Sequence, residues 1–288
     1  MIHSFLDKKI PLFSQIKKAV FNNDINKVVK YQLQIGNFQG IGKRAKQEDS
    51  FYISDFTKDT ILQEKGFLAV VADGMGGMEN GAQMSAIITG TAKEYFEQIH
   101  ISGSVSDEDM HLILMEFLKK IYNNARSIME NPEEEDSGST LTAVWIMEAK
   151  LYFVSVGDSR IYLHRNGEIF LLNREHNLGT QLAESMAKGI ISLEEYRDIT
   201  GKAGLTSFIG ITDLKLYDIS HKALKLQKGD TILLMSDGVF GTLSDAEISE
   251  AICKEDAGCT SKNLKEAIEM TDKPKQDNYT GVIIQIGM

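Results

Sequence analysis

The chain has 288 residues, 42% hydrophobic and 25% charged, with 31 Lys and Arg against 41 Asp and Glu for a formal charge of −10. That length can bury a full core as one large domain or two small ones, and the acidic balance excludes a general nucleic-acid binder. No apolar run approaches the ~18–20 residues of a membrane span, and no apolar block with a cleavage site follows Lys8 and Lys9, so neither a span nor a signal peptide is expected.

Residues 1–30 carry six lysines against Asp7 and Asp24, a local charge of +4 that leaves about −14 on the remainder. Ile10, Phe13, Ile16, Val20, Ile25 and Val28 recur loosely at helical spacing between those lysines. The stretch reads as a basic helical extension, packed on the domain that follows or docking on a partner or membrane surface. Leu33 and Ile35 then alternate with Gln32, Gln34 and Asn37 as a half-buried strand. Another strand starts at Phe51, directly after Glu48-Asp49. The apolar run 67–72 reads as a buried strand stopped by Asp73 and a glycine turn, Gly74-Met75-Gly76-Gly77.

Two long helices are predicted over about 80–98 and 107–129. Ser106 ahead of Asp107, Glu108 and Asp109 supplies N-cap chemistry for the second, and Met110, Ile113, Leu114, Phe117, Leu118 and Ile121 keep its period. Pro132 and the acids at 133–136 form a solvated loop. Strands follow at 141–147, 151–156, 160–164 and 169–172, joined by tight turns into an antiparallel meander. Residues 174–203 turn polar and helical (181–188, then 193–197), an insertion of the kind that is usually functional or mobile. Strands return at 205–209, 216–220 and 231–235, then helices near 245–255 and 261–271, then a last strand at 281–286. Cys253 and Cys259 fall in that helical stretch without metal-site spacing and read as plain thiols of a reducing cytoplasm. The order lacks βαβ alternation. It predicts an α+β fold, a four-layer αββα sandwich of two antiparallel sheets with helix pairs outside.

The glycine turn after Asp73 is not a dinucleotide fingerprint, because the third glycine would fall on Glu79. Nor does it end in the Gly-Lys-Ser/Thr of a Walker-type loop. Asp73 and Glu79 would repel a bound phosphate unless a cation stood between them. Three other acidic signals share its context: Glu48-Asp49 before a strand, Asp237-Gly238 after one, and Asp277-Asn278 before the last. Strand ends of two facing sheets meet on a common rim, where gathered carboxylates repel unless a divalent cation is present. Oxygen ligands without His or Cys favour Mg²⁺ or Mn²⁺.

Six motifs stand in one order: Arg44-Ala45-Lys46-Gln47-Glu48-Asp49, Asp73-Gly74-Met75-Gly76-Gly77, Ser137-Gly138-Ser139-Thr140, Gly157-Asp158-Ser159-Arg160, Ser236-Asp237-Gly238 and Asp277-Asn278-Tyr279-Thr280. On these the chain resembles the metal-dependent protein phosphatase 2C family over about 31–288, in its bacterial form because Met75 stands where many eukaryotic members have His. The resemblance implies an enzyme with two Mg²⁺ or Mn²⁺ ions, and a third weaker site, that hydrolyses phosphoserine and phosphothreonine by attack of a water or hydroxide held between the metals. Asp73 would bridge them and the Gly74 carbonyl would bind one. Asp237 and Asp277 would ligate the other, Glu48 and Asp49 would act directly or through water, and Asp158 would serve the third. Asn278 would support the ligands from behind. Arg44 would grip phosphate with its planar fork.

With Met75 in place of His, a water on the metals is the expected general acid, with His176 as a second candidate. The insertion at 174–203 would be the family's flap. The departure at Gln47 matters little because the acids after it are intact, and those at Glu175-His176-Asn177 and in the Leu205–Gly210 stretch, in or beside the flap, bear on substrate choice more than on metal. Phosphorylated proteins, products of a serine/threonine kinase, are the implied partners of a monomeric cytoplasmic chain. A phosphatase fold kept as a weakly catalytic regulatory or partner-switching module is the alternative. An aspartyl-phosphate mechanism would need an Asp at position 235, which is Met235.

Overall fold

A computed structural model describes residues 32–76, 80–101, 105–129, 137–254 and 256–287. The predicted extension over 1–30, the acids at 133–136 and the segment 77–79 lie outside the described residues. Alternation along β3 (Phe67–Gly76) decides the layering. Phe67, Ala69 and Val71 point into one apolar cluster, with Ile161, Leu163, Ile232, Leu234, Val282 and Ile284. Leu68, Val70 and Ala72 point into another, with Met84, Ile88, Phe117 and Trp145. A strand apolar on both faces must be covered on both, and each large side chain so buried contributes about 1.5–3 kcal/mol.

One sheet runs β1 (Gln32–Gly40), β12 (Tyr279–Gly287), β11 (Thr231–Met235), β7 (Arg160–Arg165), β8 (Glu168–Leu171). The other runs β10 (Leu224–Lys225), β6 (Lys150–Val156), β5 (Leu141–Met147), β3, β2 (Asp49–Ile53), with β4 (Ser137–Ser139) on β3 and β9 (Asp218–Ile219) on β6. Every pairing is antiparallel. A short α1 (Asp59–Glu64) precedes β3. Helices α2 (Asn80–Gln98) and α3 (Asp107–Ser127) cover the second sheet. Beyond the insertion helices α4 (Leu178–Ala187) and α5 (Leu193–Asp198) and the single turn α6 (Asp237–Phe240), helices α7 (Asp245–Glu250) and α8 (Ala257–Met270) cover the first sheet through Ile248, Leu264 and Ile268. The αββα sandwich is therefore the fold, and α3 starts at the predicted cap, with Ser106 and Asp109 forming a reciprocal capping box.

Four local expectations are corrected. The strand after Phe67 does not stop at Asp73. It runs on to Gly76 because β4 pairs with it, Gly74 opposite Ser139 and Gly76 opposite Ser137. Residues 205–209 form no strand, only isolated bridges from Leu205 to Asn177 and from Ile209 to Ser139. The 216–220 strand shrinks to the two residues of β9. Cys253 and Cys259 are joined as a disulfide rather than left as thiols. The turn between α7 and α8 brings their Cα atoms to 6.0 Å, within bridging range.

Candidate metal centre

Pairing register alone sets two carboxylates face to face: Asp49, the first residue of β2, lies directly opposite Asp73 on β3. Asp237 follows the end of β11 as the first residue of α6, and Asp277 stands two residues before β12. Asp158 lies in the turn between β6 and β7. Each is at the same rim of the sandwich, where strand ends of both sheets meet.

Hydrogen bonds tie these segments together. The Asp49 carboxylate is only 4% exposed in its residue, and its Oδ2 accepts from Ser236 Oγ at 2.8 Å. The same Ser236 oxygen accepts the Thr280 amide at 2.9 Å, linking β2, β11 and β12. Thr140 clamps the Asp73 backbone from both sides: its Oγ1 accepts the Asp73 amide at 2.9 Å, and its own amide donates to the Asp73 carbonyl at 2.9 Å. Asn278 accepts the Glu48 amide at 2.8 Å and donates to the carbonyls of Ile41 and Lys46 at 2.8 and 3.0 Å. Replacing Asn278 with Ala removes all three bonds. Mn²⁺ affinity, measured by calorimetry, is expected to fall about 10–100-fold, as when a support behind a ligand is lost.

Glycine is required at two places. A Cβ on Gly74 would stand 2.2 Å from the Gly81 carbonyl oxygen and 2.5 Å from that of Glu48. The start of α2 and the Glu48 segment thus close directly on β3, and Gly74 donates its amide to the Glu48 carbonyl at 3.1 Å. A Cβ on Gly238 would stand 1.9 Å from the Asn278 carbonyl oxygen. There α6 meets the loop that carries Asp277.

The electrostatics are those of a site built for positive charge. Burial first, and then the charges of Asp49, Asp237, Asp158 and Asp277, push the Asp73 carboxyl well above the usual range. Burial raises Asp49 to about 6, against the hydrogen bond it accepts from Ser236. Burial and then the Asp237 charge raise Asp158 to about 7. Asp237 is raised by burial and by Asp277. Asp73 stands opposite Asp49 in the β2–β3 register, and the charges of Asp237, Asp158 and Asp277 also reach it. Among the described residues no three carboxylates, histidines or cysteines are already drawn to ligand spacing. Yet Asp49 Oδ1 is buried without any hydrogen-bond partner, and an orphaned carboxylate oxygen at such a rim is a vacant donor for a hard cation. The donor set fits Mg²⁺ or Mn²⁺.

Other predicted residues divide. Arg44 lies at the rim with Nη2 2.5 Å from Asp277 Oδ2, so the fork suited to phosphate rests on a carboxylate. Glu48 lies against the start of α2, with Oε1 2.8 Å from where a Gly81 Cβ would be. Gln47, the departure from the usual Asn, accepts the Asp49 amide at 3.0 Å and so has a local backbone role. His176 is only 2% exposed. Its Nδ1 accepts the Gly157 amide at 3.1 Å and its Nε2 lies 3.6 Å from Asp218. That imidazole pins the insertion to the β6–β7 turn and is enclosed, not aimed at the rim. The insertion itself is a pair of helices without a fully buried residue, fixed at its root by the Leu178 and Gly179 amides on the carbonyls of Gly204 and Lys202.

Gln276 was missed. Its amide donates to the Gly238 carbonyl at 2.9 Å and its oxygen accepts Thr242 Oγ1 at 2.7 Å, holding α6 to the Asp277 loop. Its only sequence signal was adjacency to Asp277, which says nothing until α6 is known to pack there.

The family model for protein phosphatase 2C matches residues 42–269. A putative protein phosphatase 2C-type of Streptococcus pyogenes is 27% identical over 208 residues, covering 72% of this chain and 78% of that protein. A serine/threonine phosphatase of Listeria innocua is 25% identical over 193 residues, covering 66% and 73%. Among solved structures, a serine/threonine phosphatase of Staphylococcus aureus superposes with a TM-score of 0.69 at 25% identity, covering 89% of this chain and 96% of that one. The catalytic domain of a serine/threonine phosphatase in complex with two manganese ions superposes with a TM-score of 0.66 at 24% identity, covering 90% and 100%.

Proposed function

The chain belongs to the protein phosphatase 2C family, and from that premise we propose that its rim of carboxylates holds the two cations of a working phosphatase centre. The protein is a metal-dependent serine/threonine phosphatase that acts on phosphorylated proteins. The observation that carries the assignment of residues is the position of Asp73, buried and facing both Asp49 and Asp237.

In this reading Asp73, the Gly74 carbonyl, Glu48, Asp237 and Asp277 would together hold two Mn²⁺ or Mg²⁺ ions, with Asp73 central to the set. Asp49 contributes directly or through water, and Asp158 serves a weaker third position. When bound, the cations lower the pKa of water and offset the charge that develops in an in-line displacement. Ser236 holds Asp49 in orientation through its Oδ2. Thr140 holds the Asp73 backbone. Arg44, released from Asp277, offers two parallel N–H groups to phosphate oxygens. No side chain acts as nucleophile, and His176, being enclosed, leaves protonation of the leaving group to water. The finer parts of the reading are substrates made by a serine/threonine kinase, a monomeric working unit and a cytoplasmic setting.

EDTA is expected to abolish hydrolysis of a phosphothreonine peptide, and Mn²⁺ to restore it. A partner-switching module without turnover would show no Mn²⁺-dependent hydrolysis of either that peptide or p-nitrophenyl phosphate. Every carboxylate of the rim is present, which favours turnover.

A further inference from the structure

Beside the carboxylate rim is a cleft of about 290 Å³ that the chemistry above does not use. Ile41 and Lys43 of the β1–β2 loop form one wall, and Lys265 and Glu269 near the end of α8 form the other. Ile268 and Tyr279 supply an apolar floor. The cleft borders the centre through residues adjacent in the chain to Arg44 and Asp277. Lys43 precedes Arg44, Gln276 precedes Asp277, and the Lys43 amide donates to the Gln276 carbonyl at 2.8 Å. A peptide whose phosphate rests on Arg44 must run its neighbouring residues along one of the walls that meet there, and this is one of them.

The charges in the cleft are not balanced group by group. Asp272 is neutralised by Lys43, 3.0 Å away. Glu269 accepts the Tyr279 hydroxyl at 3.0 Å and lies 4.0 Å from Lys265. The half-buried Lys273 donates only to the Gly241 carbonyl, at 2.8 Å, and has no carboxylate within ion-pair distance among the described residues. An ammonium group has three donors, so Lys273 keeps a charge and donors to offer. It also lies near enough to Asp237 for its charge to favour that carboxylate, which places it between cleft and centre.

We propose that this cleft is a specificity subsite for an acidic side chain flanking the phosphorylated residue of the substrate, with Lys273 as the group that reads it. The inference rests on the phosphatase reading. An extended peptide advances about 3.3–3.6 Å per residue, so the acidic side chain belongs within a few residues of the phosphate. The occupant is a carboxylate and not a basic side chain, because both carboxylates of the cleft already have charged or hydroxyl partners, while among the described residues the Lys273 ammonium has only a neutral carbonyl.

The test uses the full chain loaded with Mn²⁺ and phosphothreonine peptides in an alanine background. A single Glu is placed at each of the three positions on either side. kcat/KM is expected to rise about three- to tenfold for Glu over Ala at one or two positions, the size of one charge-assisted contact at a partly exposed site, with the change carried by KM. In Lys273→Gln that ratio falls to about one, and in Lys273→Arg it persists. The ratio, not the rate, is read because Lys273 lies near Asp237, and p-nitrophenyl phosphate reports any change in basal rate. A ratio of about one at every position in the unmodified chain overturns the proposal, as does a preference that survives unchanged in Lys273→Gln. Loss of hydrolysis of every peptide overturns the phosphatase reading instead, and the subsite with it.

Discussion

Replacing Asp73 with Asn is expected to lower kcat/KM for a phosphothreonine peptide by about 10³-fold or more, roughly 4 kcal/mol of transition-state stabilisation. The same change is expected to raise the melting temperature of the metal-free chain at pH 8. Asp73 is buried among four other carboxylates, and its folded pKa lies well above the unfolded value. A carboxyl with a raised pKa favours the folded state while protonated. Its contribution is therefore lost as pH rises, starting at the unfolded value near 4 and ending above the folded one. Asp49, at about 6, and Asp158, at about 7, add to the same window. At pH 8, above the values of Asp49 and Asp158, ionised carboxylates crowd the buried Asp73 and destabilise the fold. Asn keeps the shape and removes one charge. The gain is about 2–4 °C for each kcal/mol relieved in a chain of this size, and it should vanish near pH 4. With Mn²⁺ present the order reverses, because the unmodified chain gains more from the cation. A variant that is less stable at pH 8 without metal would show that burying the Asp73 carboxylate among its charged neighbours does not destabilise the metal-free fold.

Replacing Gly238 with Ala is the second large effect. The new Cβ would stand 1.9 Å from the Asn278 carbonyl oxygen and 2.9 Å from its carbon. Both are backbone atoms, so no side-chain rotation relieves the clash. Overpacking of this kind costs about 1–3 kcal/mol, readable as a lower urea midpoint. The functional cost should be larger than the stability cost. The strained contact joins α6, which carries Asp237, to the loop that carries Asp277 and Asn278, so opening it separates two ligands and loosens the Glu48 amide as well. Activity is expected to fall about 10²-fold while the chain still folds, the usual consequence of a misplacement near 1 Å. Unchanged activity would mean the two carboxylates do not serve one ion.

Much of this was legible in the sequence because burial on both faces leaves a plain record. The run before Asp73 and the runs 141–147 and 231–235 are apolar at nearly every position, and each appears in the structure as an inner strand. Helical period and capping placed α2 and α3 within a residue or two. The acidic motifs gave the rim because each stands at or beside a strand end. What failed was structure decided by partners remote in the chain. β3 continues through Asp73 to Gly76 only because Ser137–Ser139 pairs with it. Residues 205–209 have the composition of a strand but have glycines on both sides, and Gly210 has a φ of +122°. They meet neighbours at two points instead of along a ladder. Cys253 and Cys259 looked independent until the α7–α8 turn brought them together. Ser236 was visible within a motif, but its grip on Asp49 joins residues 187 positions apart, which no local pattern records.

The central claim is that Asp73 and Asp237 share in a two-cation centre, and titration of the metal-free chain with Mn²⁺ in a calorimeter at pH 8 tests it most directly. The account predicts two tight Mn²⁺ ions per chain, falling to one or none in Asp237→Asn and in Asp73→Asn, with hydrolysis lost in parallel. Two tight ions bound unchanged in both variants would contradict it.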